Sequence, residues 1–98
     1  MGDPLTVDKE MGITHAEFFR VIGRALDGRP HRVEGTRVRL AEGDGRRLDI
    51  TLAAEGERRI AGLALPVTRV RLAFTGYGET EAADLLARFD RWFQRGGG

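Results

Sequence analysis

The side chains best suited to chemistry are arginines, which alternate with apolar residues in "RVRLAEGDGRRLDITL", residues 37–52. Fifteen of the sixteen basic residues are arginine, and Lys9 is the exception. Guanidinium groups bind carboxylates and phosphates in a planar, often bidentate manner. The pattern therefore points to recognition of acidic groups, provided that these arginines share one face of the folded chain.

Covalent catalysis has little support in the composition. The chain has no serine, cysteine or asparagine, so the available nucleophiles are Thr, Tyr, Lys and carboxylates. His15 and His31 have no third ligand at metal-binding spacing, and the hydrogen bond that Asp27 could make to His31 has no nucleophile beside it. We predict no enzymatic activity, no catalytic residue, no metal and no cofactor. A small-ligand site would need a polar cavity near His31, Asp27 or Tyr77.

Alternation with a period of two places the arginines on one side of a sheet and the apolar residues on the other. Val38 and Leu40 point one way while Arg37 and Arg39 point the other. The candidate partner-binding residues are the arginines expected on the uncovered face and two leucines nearby: Arg37, Arg39, Arg47, Arg59, Arg69, Arg71, Leu63 and Leu65. Asp49 is the only obvious acid that the strands would place among them.

Three interpretations of this face remain open. It is a solvated charged surface, it binds a protein partner or a second copy of the chain, or it binds phosphate backbones. The predicted outward positions carry no aromatic residue for base stacking, which favours a protein partner and leaves nucleic acid as the alternative. The turn "TGYGET", residues 75–80, matches no phosphate-binding fingerprint, and Glu79 and Glu81 would repel an anion there.

Two amphipathic helices frame the alternating region. Thr14 and Glu17 form a capping box before an apolar face with helical spacing, and "DGRP", residues 27–30, ends this first helix. A second helix is predicted from Glu79 to Arg95, with acidic residues at its start and arginines at its end, as the helix dipole prefers.

Register follows from parity, because directly opposed residues share a face. A three-residue loop, Gly43–Asp44–Gly45, sets Leu40 against Leu48 and keeps the apolar residues together. A second such loop, "AEG" at 54–56, would set Ile50 against Ile60. In the strand "RRIAGLALP", residues 58–66, a bulge at Gly62 would turn Leu63 and Leu65 inward, and strict alternation would expose them. We favour the bulge, because burying two leucines stabilises the fold by roughly a few kcal/mol.

These elements predict an α+β fold. It is a four-stranded antiparallel meander with the N- and C-terminal helices packed on one face, an α-β-β-β-β-α open-faced sandwich. We expect a flexible arm over residues 1–12, a single domain over 13–95 and a flexible glycine tail over 96–98.

Composition agrees with a water-soluble chain. Ninety-eight residues with 41% apolar content can bury a core without disulfides, and no apolar run is long enough to cross a bilayer. The formal net charge of +1 argues against a protein built wholly around nucleic acid. We expect a cytoplasmic interaction or assembly module, of which a homodimer is one form, with no membrane partner.

Overall fold

The computed structural model describes residues 5–96, and only the backbone of residues 95 and 96. In chain order the elements are β1 (Leu5–Met11), α1 (His15–Ala25), β2 (Arg32–Glu34), β3 (Arg37–Ala41), β4 (Arg47–Leu52), β5 (Gly56–Ile60), β6 (Leu63–Thr75) and α2 (Glu79–Gly96). Residues 1–4 of the predicted arm and residues 97–98 of the predicted tail lie outside the described residues.

The predicted α+β class is confirmed, but the described residues form six strands instead of four. All strand pairs are antiparallel, and the main sheet has the order β1-β6-β4-β3-β2. The simple meander is therefore wrong, because β6 lies between β1 and β4, while β5 pairs only with the first part of β6.

The predicted flexible arm is also corrected. Residues 5–11 form the strand β1, which pairs with β6 from Leu5 opposite Phe74 to Met11 opposite Thr68. The alternation of apolar and polar residues in β1 is weak in the sequence, because the charged Lys9 occupies a position on the helix-covered side where an apolar residue is expected. The ammonium of Lys9 reaches Asp90 of α2, 2.8 Å away, so a charged residue is accommodated at the edge of the core.

The first hairpin has the predicted register. Leu40 lies opposite Leu48 and Val38 opposite Ile50, around the loop that contains Gly43, Asp44 and Gly45. Gly45 has a φ of 93°, which glycine adopts without steric cost, as the loop requires.

The second predicted loop is wrong. Residues 53–55 do not turn the chain but form a bulge, since Leu52 pairs with Val70 and Gly56 pairs with Val67. Three residues on the β4–β5 side thus face two on β6, which inverts the parity of β5 relative to β4. Ile50 lies opposite Val38 and Leu72, not opposite Ile60.

The chain reverses instead at Ala61 and Gly62, which have φ values of 51° and 83°. Two central residues with positive φ are the signature of a type I′ turn, the tightest connection between antiparallel strands. The favoured bulge at Gly62 is therefore wrong: Gly62 belongs to the turn, and Leu63 and Leu65 are exposed instead of buried. The β5–β6 hairpin, residues 56–67, extends beyond the main sheet as a two-stranded ribbon.

Both helices lie on the same side of the main sheet, as predicted. Thr14 caps α1 by accepting a hydrogen bond from the Glu17 amide at 3.1 Å. Phe18 of α1 is fully buried and stacks on Phe93 of α2, with ring centroids 4.9 Å apart. The core side of the sheet supplies the remaining buried apolar residues: Val38, Leu40, Leu48, Ile50, Leu52, Val70, Leu72 and Phe74.

Candidate functional site

The side of the main sheet opposite the helices is solvent-exposed, and we call it the outer face. Burial alternates along the central strands β3 and β4 and along the part of β6 that pairs with β4, so that in β3 Val38 and Leu40 are buried while Arg37 and Arg39 are exposed. Paired residues share a face, which places five of the six predicted arginines together on the outer face: Arg37, Arg39, Arg47, Arg69 and Arg71. The expected sidedness of the sheet is therefore observed for these five.

Arg59 does not join the other arginines. It lies in the protruding hairpin opposite Ala64, which β6 alternation places on the helix side. The bulge at residues 53–55 is the cause, because one extra residue moves every following side chain of β5 to the other face.

Leu63 and Leu65 face solvent and are 63% and 43% exposed. They share the side of β6 on which Arg69 and Arg71 stand further along the strand. Ile60, 51% exposed, lies opposite Leu63 and completes an apolar surface that we call the hairpin patch, Ile60, Leu63 and Leu65. The outer face is thus apolar at the hairpin and charged on the main sheet, where the arginines lie.

Carboxylates neutralise much of the positive charge of the arginines on the main sheet. Asp49 accepts hydrogen bonds from Arg39 at 2.8 Å through one oxygen and from Arg47 at 2.9 Å through the other. The hydrogen bond and the charge of Asp49 both raise the pKa of Arg39 above its ordinary value. A single acid therefore holds two neighbouring arginines in fixed positions.

Strand β1 contributes two acids to the outer face that sequence reasoning missed. Asp8 accepts from the Nε of Arg71 at 2.7 Å, and this bond holds the pKa of Asp8 below its ordinary value. Glu10 accepts from Arg58 of the hairpin and lies 3.8 Å from Arg69. The alternation of Thr6, Asp8 and Glu10 was the only signal in the sequence, and the interruption at Lys9 on the other side concealed it.

Arg37 is one of the two least engaged arginines of the outer face, together with Arg32, which lies opposite Arg39 in β2. Arg37 forms no ion pair within the part of the chain that the structure describes, although Glu34 lies opposite it in β2. Arg37 lines a shallow groove of about 510 Å³ with Arg32 and Arg39. A second groove of about 620 Å³ lies over Thr51 and Ala53, next to the base of the hairpin. The outer face is therefore indented at two places.

The two histidines have structural partners. The backbone N–H of His15 donates to the carboxylate of Glu55, and its ring Nε2 lies 2.7 Å from the carbonyl oxygen of Ala53. His31 Nδ1 lies 2.9 Å from the carbonyl oxygen of Arg29. Within residues 5–96 no group of three or more His, Asp or Glu side chains is arranged to hold a metal ion. His15 thus ties the bulge at the base of the hairpin to α1.

Asp27 and His31 do not make the hydrogen bond that the sequence allows. Asp27 instead accepts from Arg88 of α2 at 2.7 Å. A polar cavity of about 490 Å³ does lie beside Asp27 and Tyr77, on the side of the molecule where α2 begins. Burial, together with a hydrogen bond donated to Glu42 at 3.0 Å, raises the pKa of Tyr77 far above its ordinary value. Its hydroxyl therefore stays protonated and donates the hydrogen bond to Glu42.

The turn before α2 has its own carboxylate at the helix start. The backbone N–H of Gly78 donates to Glu81 at 3.3 Å, and Glu81 also accepts from Arg46. An external phosphate would have to displace this acid from the positive end of the helix dipole. The backbone N–H of Gly78 in this turn therefore already has a hydrogen-bond acceptor within the protein.

No family model, no curated protein and no solved structure matches this chain. Within the described residues, no helix is long and apolar enough to span a membrane.

Proposed function

We propose that this chain is a non-enzymatic interaction and assembly module that binds protein through the outer face of its sheet. The single observation that carries the proposal is the hairpin patch, in which Ile60, Leu63 and Leu65 are all about half exposed or more on one ribbon. Such large apolar side chains grouped together and bordered by charge are typical of protein contact sites.

The charge arrangement supports a protein partner over a phosphate backbone. Asp8, Glu10 and Asp49 already engage five arginines in ion pairs, so a polyanion would compete with built-in carboxylates. A protein surface can instead complement both signs and add apolar contact at the hairpin patch. Arginine, which combines a planar donor group with an apolar stem, is enriched in such interfaces.

The hairpin patch can be tested by removing its leucines. Each leucine that becomes buried on association contributes roughly 1.5–3 kcal/mol, so Leu63→Ser/Leu65→Ser should weaken association by more than about tenfold. Sedimentation velocity across micromolar concentrations measures self-association, and cross-linking followed by mass spectrometry detects other protein partners.

A matched control uses two apolar residues of similar exposure outside the outer face. Leu5 and Val33 are 52% and 48% exposed at the edges of the helix-covered side, opposite Phe74 and Val38. Leu5→Ser/Val33→Ser should leave association unchanged. A wild-type chain that stays monomeric and cross-links to no protein would overturn the proposal, as would equal effects of the two double variants.

Nucleic acid remains a second candidate because Arg37 is unengaged within the described residues and lines a groove with Arg32 and Arg39. Phosphate binding through this groove predicts an affinity that falls steeply with salt. Arg37→Glu/Arg71→Glu should then abolish binding of a fluorescent oligonucleotide without unfolding the domain. Binding that is absent, or that this variant leaves unchanged, removes the candidate.

A further inference from the structure

The hairpin has an open edge along β5. This strand pairs with β6 on one side, and no strand of the described chain pairs with its other side. Every residue from Gly56 to Ile60 is exposed. Backbone N–H and C=O groups along such an edge are available to another strand.

The ribbon also has little tertiary support. A two-stranded hairpin is marginal in water unless further strands or a helix cover it. The polar contacts that hold it to the rest of the chain are few: His15 meets Ala53 and Glu55 just before the ribbon begins, and the side chain of Arg58 in the middle of β5 reaches Glu10. A strand added along β5 would supply the support that the ribbon lacks.

The sequence of β5, "GERRI", is complementary to itself in the antiparallel direction. When two copies pair with Arg58 at the twofold axis, Glu57 lies opposite Arg59 of the second copy, and Arg59 lies opposite its Glu57. Both pairs of opposite charge form at once, because a twofold axis repeats every contact. Ile60 then lies opposite Gly56, a position without a side chain to obstruct it.

The neighbouring registers that keep the faces matched are less favourable. A shift of two residues in one direction places Arg59 opposite Arg59 and loses both favourable pairs. A shift in the other direction places Glu57 opposite Glu57, and its opposite-charge pairs would need Glu55, which lies before β5 and already accepts from the His15 backbone N–H. In the favoured register the two Arg58 side chains meet at the axis, but each is neutralised by Glu10 of its own chain. Strand β1 lacks this property, because antiparallel pairing about its centre would set Asp8 against Asp8.

We propose that a second copy of this chain binds along the open edge of β5 and forms a continuous four-stranded ribbon, β6-β5-β5-β6, across a twofold axis. The inference deepens the proposed function, on which it rests, by naming the partner. The hairpin patches of both copies then lie on one side of the ribbon and make a single, larger apolar surface.

Charge reversal tests the register. Glu57→Arg and Arg59→Glu each place like charges opposite one another at two symmetric positions, so each variant alone should dimerise at least tenfold more weakly. An equimolar mixture of the two variants restores both opposite-charge pairs and should form a heterodimer with near wild-type affinity in sedimentation equilibrium. Failure of the mixture to associate better than either variant alone would overturn the proposal.

The other short edge strand provides a matched control. Arg32 and Glu34 of β2 are exposed, like Glu57 and Arg59, on a strand that pairs on one side only. Arg32→Glu and Glu34→Arg should leave dimerisation unchanged. Dimerisation that responds to the β2 variants and not to the β5 variants would move the interface to the opposite edge and overturn the proposal.

A covalent test uses the absence of native cysteine. Residues directly opposed across an antiparallel pair have Cβ atoms close enough for a disulfide, so Arg58→Cys should give a cross-linked dimer under mild oxidation. Glu57→Cys, whose thiol would face Arg59 of the second copy, should cross-link at least tenfold more slowly. Equal rates for the two variants would exclude the proposed register.

These outcomes separate the inference from the proposed function. Association that depends on Leu63 and Leu65 but ignores charge reversal in β5 would preserve the outer-face interaction and reject the edge pairing. A second, unrelated protein that cross-links along β5 while the chain itself stays monomeric would also reject self-pairing. A wild-type chain that associates with nothing would reject both.

Discussion

Ala61 adopts a strained backbone conformation, and the β5–β6 hairpin turns at this residue. Its φ of 51° lies in the left-handed region, which costs an L-residue with a Cβ roughly 1–2 kcal/mol. Asparagine adopts this conformation more readily, and Asn-Gly is the preferred pair in type I′ turns. The turn is therefore built from an unfavourable first residue and a favourable second one, Gly62.

We expect Ala61→Asn to stabilise the hairpin by about 0.5–1 kcal/mol, because it relieves part of this strain. Amide hydrogen exchange of residues 56–67 measures the local effect. Ala64→Asn, a substitution of the same kind at an extended position of the ribbon, should bring no gain. Faster exchange in the Ala61→Asn variant would show that the turn is not type I′ in solution.

The ion pair between Asp8 and Arg71 predicts a pH dependence. The pKa of Asp8 is lowered, chiefly by the hydrogen bond from Arg71, so the folded state binds its proton more weakly than the unfolded chain. The stabilisation is therefore present above the unfolded pKa of about 3.9 and is lost as the pH falls through the lower folded value.

A carboxyl NMR titration should place the titration midpoint of Asp8 below about 3.9, which is the ordinary pKa of an aspartate in a peptide. Arg71→Gln should return it towards that value, whereas Arg20→Gln, at a distant position on α1, should not. A midpoint that Arg71→Gln leaves in place would show that Arg71 does not set it.

Among the secondary-structure elements, β1 changes the interpretation of the sheet most. It covers one edge of β6, places Val7 and Met11 against the core, and carries Asp8 and Glu10 to the outer face. An edge strand of this kind contributes both apolar burial and the carboxylates that hold the arginines in place. The N-terminal segment is thus part of the candidate site.

Paired substitutions distinguish a docked strand from a flexible arm. Val7 is half-buried on the helix side and Thr6 is exposed on the outer face. Val7→Asn should lower the free energy of unfolding by about 1–2 kcal/mol, and Thr6→Asn should change it by less than ~0.5 kcal/mol. Urea denaturation measures both, and equal, negligible effects would contradict the docking of β1.

At the scale of the whole molecule, the hairpin makes the chain elongated. The extents are 48 × 25 × 24 Å, and the radius of gyration of 13.9 Å exceeds the roughly 12.6 Å expected for a compact domain of this length. The excess comes from a ribbon that extends away from the core and exposes apolar residues. This shape suits a docking element, because the ribbon is reachable on both faces and along one edge.

Sequence alone determined the local features of the fold and most of the candidate site. The Thr14 cap, the first hairpin loop and the sidedness of five arginines follow from short-range periodicity, which depends only on backbone geometry within one strand or helix. The same parity argument failed for Arg59. One extra residue in the bulge moves every following side chain of β5 to the other face, and the apolar-polar alternation of β5 does not reveal that residue.

Tertiary structure alone decided which strands pair. Several segments share the same apolar-polar alternation, so the sequence does not say whether β6 pairs with β1, β4 or β5, and in fact it pairs with all three. That choice depends on long-range packing against both helices and on the right-handed twist of the sheet. It placed the acids of β1 beside the arginines and left the hairpin, with its leucines, outside the core.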